Sequence, residues 1–397
     1  MSRQLISRNP DLQRLINEGY EIEIVSGYLL VHSVPYATAS MQVARGVIVS
    51  ELTTATPDVL GRPSTHQVHF IGDHPCKADG TDLVQIRCQS GEFKLVEGVT
   101  AQHWFSNKPK CGYYETYYQK ITSYVRVISS QAKALDPSAD ARTFRAREPI
   151  DENSVFLYQD TASSRAGIQR LSARFGHQRI AFVGLGGTGS FALDLVAKTH
   201  VVEIHLYDAD LLRPHNAFRF PGAISRETLD REITKVKHLS EHYSTMRRGV
   251  VAHEVMIHEA NVMELAQFDY VFLCVDRSDV RQLILRSLTN TDVIVIDVGM
   301  GLNLSDDQES IWGTCRVTVS TPSTREIALA RIPKVDRDEE LYASNIQVAD
   351  FNSMNAVMAV GKWKRMSGFY LDDQDEYEST FSVNLNQLNR LNKPGKP

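Results

Sequence analysis

The sequence predicts a doubly wound, mostly parallel α/β sheet preceded by a smaller β-rich α+β domain, on three observations. Beyond residue 159, apolar runs of strand length alternate with segments of helical period. One of those runs, IAFVGLGGTGS (180–190), passes straight into a glycine turn and then a helix. Before residue 135, by contrast, short apolar runs are separated by turn residues alone. Alternating strand and helix with near-continuous apolar strands means a parallel sheet covered on both faces. At 397 residues the chain is long enough for two domains of ordinary size.

The first domain, 1–135, is built from EIEIVSGYLLVHSV (21–34), ARGVIVSEL (44–52), HQVHFIG (66–72) and LVQIRC (83–88), with LGRP, GDHP and ADGTD as turns. The spacing of Tyr117, Ile121, Tyr124, Val125 and Ile128 predicts a helix over 113–135, packed on one face. A polar connector, 136–158, carries Pro137 and Pro149. The second domain, 159–397, opens with a helix at 164–175 and a strand at 179–184, and the helix after the turn starts near Ser190. Then follow a strand at 202–210, a helix at 225–246, a strand at 250–257 and a helix at 260–266. The strand 270–276, a helix at 279–289 and the strand 293–300 complete the parallel part. Two further β runs, 312–320 and 379–385, flank a helix at 352–366 and extend the sheet at one edge, and the tail NQLNRLNKPGKP reads as frayed.

Composition narrows the class. Hydrophobic residues at 42% and charged residues at 23% describe a globular chain. A net charge of −5, with neither half strongly basic, argues against a nucleic-acid binder. No apolar run has the length of a membrane span, and the start lacks the core of a signal peptide. Five scattered cysteines without a CxxC pair suit a reducing compartment, so a cytoplasmic location is expected.

Gly184, Gly186 and Gly189, with Gly187 between them, fit G-x-G-x-x-G in strand–turn–helix context. The first glycine allows the sharp turn, the second lets backbone approach phosphate, and the third permits close helix–strand packing. Asp208, ending the next strand, is placed to catch a ribose hydroxyl. This much suits NAD and ATP equally, and an NAD-dependent oxidoreductase is the alternative reading. What separates them lies further on. Asn216 and Arg219 follow the second strand, and Lys235 and Lys237 follow in turn. Hydride transfer needs no cations there, whereas a triphosphate does. Asp276 closes a later strand at the carboxyl end, where one carboxylate beside polyphosphate suits Mg²⁺.

Residues 160–366 resemble the adenylating domain of the ThiF/MoeB family, which includes the ubiquitin-activating enzymes. The resemblance rests on Gly184–Gly189, Asp208 and Asp210, Asn216 and Arg219, Lys235, and Asp276. It implies a Rossmann-like domain that uses ATP and Mg²⁺ to adenylate the C-terminal carboxylate of a ubiquitin-like (β-grasp) protein, releasing pyrophosphate. It assigns Asp276 to Mg²⁺, Arg219 and Lys235 to the phosphates, Asp208 to the ribose and Asn216 to the phosphate pocket. Lys237 remains an alternative to Lys235. The family's upstream arginine, which completes the partner's site in a homodimer, corresponds to Arg165, with Arg170 as the alternative. A leader domain before such a domain resembles the activating enzymes of bacterial ubiquitin-like conjugation operons, some linked to phage defence. That implies docking of the ubiquitin-like protein or of a conjugating-enzyme-like acceptor.

The chain also departs from the family. Many relatives bind structural zinc through two CxxC pairs, which are missing here, so no zinc is expected. The segment 321–351, where some relatives carry a thioester cysteine, contains none. Cys274 and Cys315 fall in strands and read as buried thiols. Cys111 follows two lysines and precedes a helix, which makes it the candidate thioester cysteine. His66, His69, His74 and Cys76 read as packing residues, because His-x-x-His on a strand turns its two rings to opposite faces.

Overall fold

A computed structural model describes residues 9–56, 59–145, 154–331 and 346–392. The chain divides into two compact units: 1–154 with 158–167, and 155–157 with 168–397.

In the first unit Ser26 and Gly27 both take positive φ, 45° and 86°. That is the turn twist that antiparallel strands accept best, and it pairs Glu21–Val25 (β1) with Tyr28–Ala37 (β2). Val43–Glu51 (β3), Thr54–Thr56 (β4), Val59–Leu60 (β5) and Gln67–Ile71 (β6) follow. The expected strand 83–88 is instead a 3₁₀ turn, Val84–Ile86, which leads into Arg87–Val96 (β7) and Val99–Ser106 (β8). The antiparallel sheet runs β1-β2-β3-β6-β8-β7, and β4 and β5 form a separate ribbon. Pro10–Asn17 (α1) and Tyr117–Leu135 (α2) bury Leu12, Leu15, Ile121, Tyr124 and Ile128 in one cluster with residues of that sheet. Thr116 caps α2 by accepting from the Gln119 amide. This unit continues past residue 135: Ala141 is buried, and the Thr143 amide donates to the Gly19 carbonyl. Residues 146–153 of the expected connector lie outside the described residues. Thr161–Arg165 (α3) belongs to the same unit.

Gly167, at φ +69°, ends α3, so the single helix expected over 164–175 is two pieces. The second unit begins with the other piece, Gln169–Ser172 (α4) and a 3₁₀ turn to Phe175. Arg179–Val183 (β9), Gly187–Ala197 (α5), Glu203–Tyr207 (β10) and Pro214–Ala217 (α6) come next. The helix expected over 225–246 is also broken. Arg226–Asp230 (α7) and Lys235–Ser244 (α8) are separated at Glu232, whose φ is +49°. Each has its own cap, Ser225 accepting from Thr228 N and Thr234 from Lys237 N. Val250–His253 (β11), a 3₁₀ turn at Val262–Gln267, Tyr270–Leu273 (β12), Ser278–Ser287 (α9) and Ile294–Leu304 (β13) complete the parallel part. Ile311–Ser320 (β14), Arg325–Arg331 (α10), Ala349–Met366 (α11), Glu376–Ser382 (β15) and Gln387–Asn392 (β16) close the chain. The tail is therefore an ordered strand as far as Asn392, paired with β15.

The sheet order is β11-β10-β9-β12-β13-β14-β15-β16, parallel from β11 to β13 and antiparallel thereafter. Successive residues of β9 enter opposite cores. Ile180 and Phe182 pack with α5, α8 and Trp363, while Ala181 and Val183 pack with Ile284 and Leu285 of α9. Phe182 stacks on Phe272 at 4.8 Å. Among the described residues no helix is long and apolar enough to cross a membrane.

Candidate functional site

Strand order reverses between β9 and β12, and a cleft of about 390 Å³ opens at the carboxyl ends of the strands there. Crevices of this size at this place bind ligands in open α/β sheets. Gly184 turns the chain at φ +89°, and a Cβ there would meet the Cys274 carbonyl carbon at 2.8 Å. A Cβ on Gly189 would strike the Gly184 oxygen at 2.1 Å. Gly186, the N-cap of α5, would put its Cβ in open space on the cleft wall. Backbone is thereby exposed at a helix N-terminus, where amide donors favour an anion.

Asp208 holds this turn in place. It is buried; one oxygen accepts from Leu185 N and the other from Asp210 N, both at 2.8 Å. Lys235, also buried, starts α8 and reaches back to Asp210 at 2.6 Å and Asp208 at 3.5 Å. Lys235 lines the cleft, whereas Lys237 is exposed on the far side of its helix start. Asn216 is buried and its side chain accepts from Arg213 N at 2.8 Å, which fixes the loop after β10. That loop delivers Arg219, whose Nη1 donates to Gln347 at 2.6 Å. Among the described residues its buried Nε has no hydrogen-bond partner. Burial lowers the Arg219 pKa from its usual value, so this charge is poorly solvated, and the residue lines the cleft.

On the other side of the turn β12 ends at Leu273, and Asp276 follows in a loop, exposed and lining the cleft. The loop is pinned from below. Arg281 of α9 donates through Nε to the Val275 carbonyl at 2.8 Å and pairs with Asp297 at 2.6 Å. Arg316 takes the other Asp297 oxygen at 2.8 Å. Helix α11 closes the cleft with Asn352 and Asn355. Asn352 accepts from Thr188 Oγ1 at 2.9 Å and donates to the Val348 carbonyl at 3.0 Å.

The cleft thus gathers Gly184, Gly186, Gly187, Asp208, Asp210, Asn216, Arg219, Lys235 and Asp276 from the sequence reading. It adds Gln347, Asn352, Asn355 and Arg281, which carry no motif and arrive by tertiary contact alone. Arg165 is exposed at the end of α3 in the first unit, and Arg170 is exposed on α4. Cys111 is exposed, its thiol donating to the Tyr113 carbonyl at 3.1 Å. Burial pushes the Cys274 thiol up to about 12 and the Cys315 thiol up to about 11. Of the cysteine-free segment 321–351, residues 332–345 lie outside the described residues. In the first unit His66 meets Ser106 at 3.0 Å and His69 stacks on Trp104, in line with packing roles. A second hollow of the same unit as the cleft, about 580 Å³, lies between α11 and β14–β16. There Lys362 and Arg365 are already engaged by Asp372 and Glu376.

A glycine turn at the switch point, flanked by a half-buried guanidinium and a carboxylate in the loop after β12, defines a nucleotide-binding α/β domain. More specifically, residues 159–347 match the ThiF family, and residues 10–161 match the family described as Domain of unknown function (DUF6791). Among similar solved structures is E. coli MccB with ATP, 14% identical, covering 58% of this chain and 71% of that one, with a TM-score of 0.44. E. coli tRNA N6-threonylcarbamoyladenosine dehydratase, TcdA, in complex with AMP is 15% identical, covering 52% and 93%, with a TM-score of 0.41. PaaA is 14% identical, covering 56% and 75%, with a TM-score of 0.43. No curated protein matches the chain.

Proposed function

We propose that this chain adenylates the C-terminal carboxylate of a ubiquitin-like β-grasp protein at the expense of ATP. The observation that carries the reading is Arg219, a partly desolvated guanidinium with an unmatched N–H, on a residue that lines the same cleft as the glycine turn. A redox dinucleotide offers such a group only its pyrophosphate, whereas ATP brings the larger charge of a triphosphate that rises as pyrophosphate departs. In the proposed step a carboxylate oxygen attacks the α-phosphorus, the bond to the bridging oxygen breaks, and pyrophosphate leaves with that electron pair. The chain's own residues prepare this. The first-turn amides of α5 orient the phosphates, and Arg219 answers the charge that develops on the departing group. Lys235, held by two aspartates, stays close to the same anions and orders the ribose side. Asp276 suits Mg²⁺, a single exposed carboxylate that leaves the ion its waters. That ion would supply charge neutralisation at the phosphates.

The acyl group then passes to a conjugating partner or to a thiol, as the nucleophile attacks the carbonyl carbon and AMP leaves with the electron pair of the broken anhydride bond. Family resemblance further assigns Arg165 to the site of a second copy in a homodimer, and its exposure on α3 is compatible with that role. Arg165→Ala and Asp276→Ala variants, each inactive alone, should regain about half the wild-type activity per heterodimer when co-assembled, because one site then receives both intact residues. Heterodimers without activity would exclude the trans arginine.

Calorimetric titration tests the reading as a whole. ATP should bind in a Mg²⁺-dependent manner and NAD should not. Tight NAD binding that is indifferent to Mg²⁺ would replace this proposal with a redox one.

A further inference from the structure

Helix α11 presents Asn352 and Asn355 to the cleft from one face, three residues apart. Their amides are used differently. Asn352 spends both ends within the protein, on Thr188 and Val348. Asn355 is 1% exposed and donates Nδ2 to the Gly299 carbonyl at 3.1 Å, but its buried Oδ1 has no partner among the described residues. The bond to Gly299 fixes the orientation, since a flipped amide would set two oxygens against each other. A buried, unmatched acceptor is costly to keep, so it marks a place where a donor belongs.

The donor's chemistry follows from position. Asp208, Asp210 and Lys235 define one end of the cleft at β10, and the phosphate turn follows β9. Gly299 lies on β13, beyond β12 and Asp276, at the opposite end. A nucleotide whose ribose lies at β10 and whose phosphates lie at the turn leaves the β13 end for the acyl substrate. Phosphate and carboxylate oxygens carry no proton to give Asn355 Oδ1. A peptide N–H does.

We infer that Asn355 Oδ1 accepts a hydrogen bond from the last peptide N–H of the acyl substrate, so that the site selects a polypeptide C-terminus over a simple carboxylic acid. This rests on the adenylation reading and adds the substrate subsite to it. A site built to hydrogen-bond a substrate N–H penalises an analogue that lacks it, because its own acceptor is then left unpaired.

The test uses two non-hydrolysable acyl-adenylate mimics, N-acetylglycyl-sulfamoyl adenosine and its ester counterpart, acetoxyacetyl-sulfamoyl adenosine, in which oxygen replaces N–H. Wild-type protein should bind the amide about tenfold or more tightly than the ester. Asn355→Leu should bind both alike, with the amide falling to the level of the ester. ATP binding by the same variant checks that the cleft is intact. Equal affinity of the wild type for the two mimics, with ATP still bound, overturns the inference and leaves the adenylation reading standing. An Asn355→Leu variant that loses ATP and amide mimic by the same factor assigns Asn355 to the nucleotide, and also overturns it. If wild type binds neither ATP nor either mimic, the adenylation reading itself fails.

Discussion

Two fully buried charges, one in each unit, are held in opposite ways. In the second, Asp297 is fully buried between Arg281 and Arg316, and buried Lys235 is held by Asp208 and Asp210. In the first, Lys120 of α2 is fully buried, and among the described residues its ammonium has no hydrogen-bond partner. These paired charges border the cleft or hold a loop that does, since Arg281 fixes the Val275 carbonyl beside Asp276, while the buried pair of Lys362 and Glu376 lies at the second hollow. The buried hydroxyls of the first unit serve loops instead, as when Tyr124 donates to the His66 carbonyl at 2.7 Å and accepts from Asn107 N. Buried ion pairs are weak evidence of stability, because desolvation offsets most of their attraction. Those that meet at the cleft are better explained by placement of groups for chemistry.

If so, removing the hub of the paired network should do the most damage. Asp297→Ala leaves two guanidiniums without their carboxylate, and breaking a buried pair this way costs about 3–5 kcal/mol. Urea unfolding should show the loss in the transition of the second unit. A change below about 1 kcal/mol would mean that the network is solvated and that the contrast between units is false.

Next in size are the groups the network serves. Asp276→Ala and Arg219→Ala should each slow pyrophosphate–ATP exchange by ~10²–10³, as for contacts that strengthen in a transition state. Asp276 is exposed, so its variant should melt with the wild type. Undiminished exchange in either variant would show that the wrong charges have been assigned.

Much of this arrangement was legible in the sequence because it is local. The turn at Gly184–Gly189 and the run from Asp208 to Arg219 are each contiguous, and each follows an apolar strand. Helix breaks were less legible. Glu232 takes a left-handed φ that its side chain does not announce, and Thr234 caps a helix inside what reads as one amphipathic run. The strand β7 escaped because RCQSGEFK offers little apolar alternation, most of its residues being exposed. Gln347, Asn352 and Asn355 could not be read at all. They lie well over a hundred residues from the turn, Gln347 just before α11 and the two asparagines on it, where polar positions look like ordinary surface until packing turns them inward.

The smallest effect expected concerns the unpaired charge of the first unit, and here it should be a gain. Burial lowers the Lys120 pKa from 10.5 to about 8, with Glu51 pulling only weakly the other way. Below pH 8 the ammonium is charged whether the chain is folded or unfolded, and folding bears the full desolvation cost. Between about 8 and 10.5 the folded chain has lost the proton and the unfolded chain keeps it, so stability rises with pH. Above that range the cost is gone. A shift of this size corresponds to roughly 3 kcal/mol. Lys120→Met keeps the length of the side chain and removes the charge, so it should raise the stability of the first unit by up to that amount at pH 7. The gain should shrink as pH climbs towards 10.5, leaving a flatter pH profile than the wild type. Thermal melts of both proteins at pH 7 and pH 10 decide the matter. A variant less stable at pH 7 would mean that Lys120 finds a partner, and the two units would then handle buried charge alike.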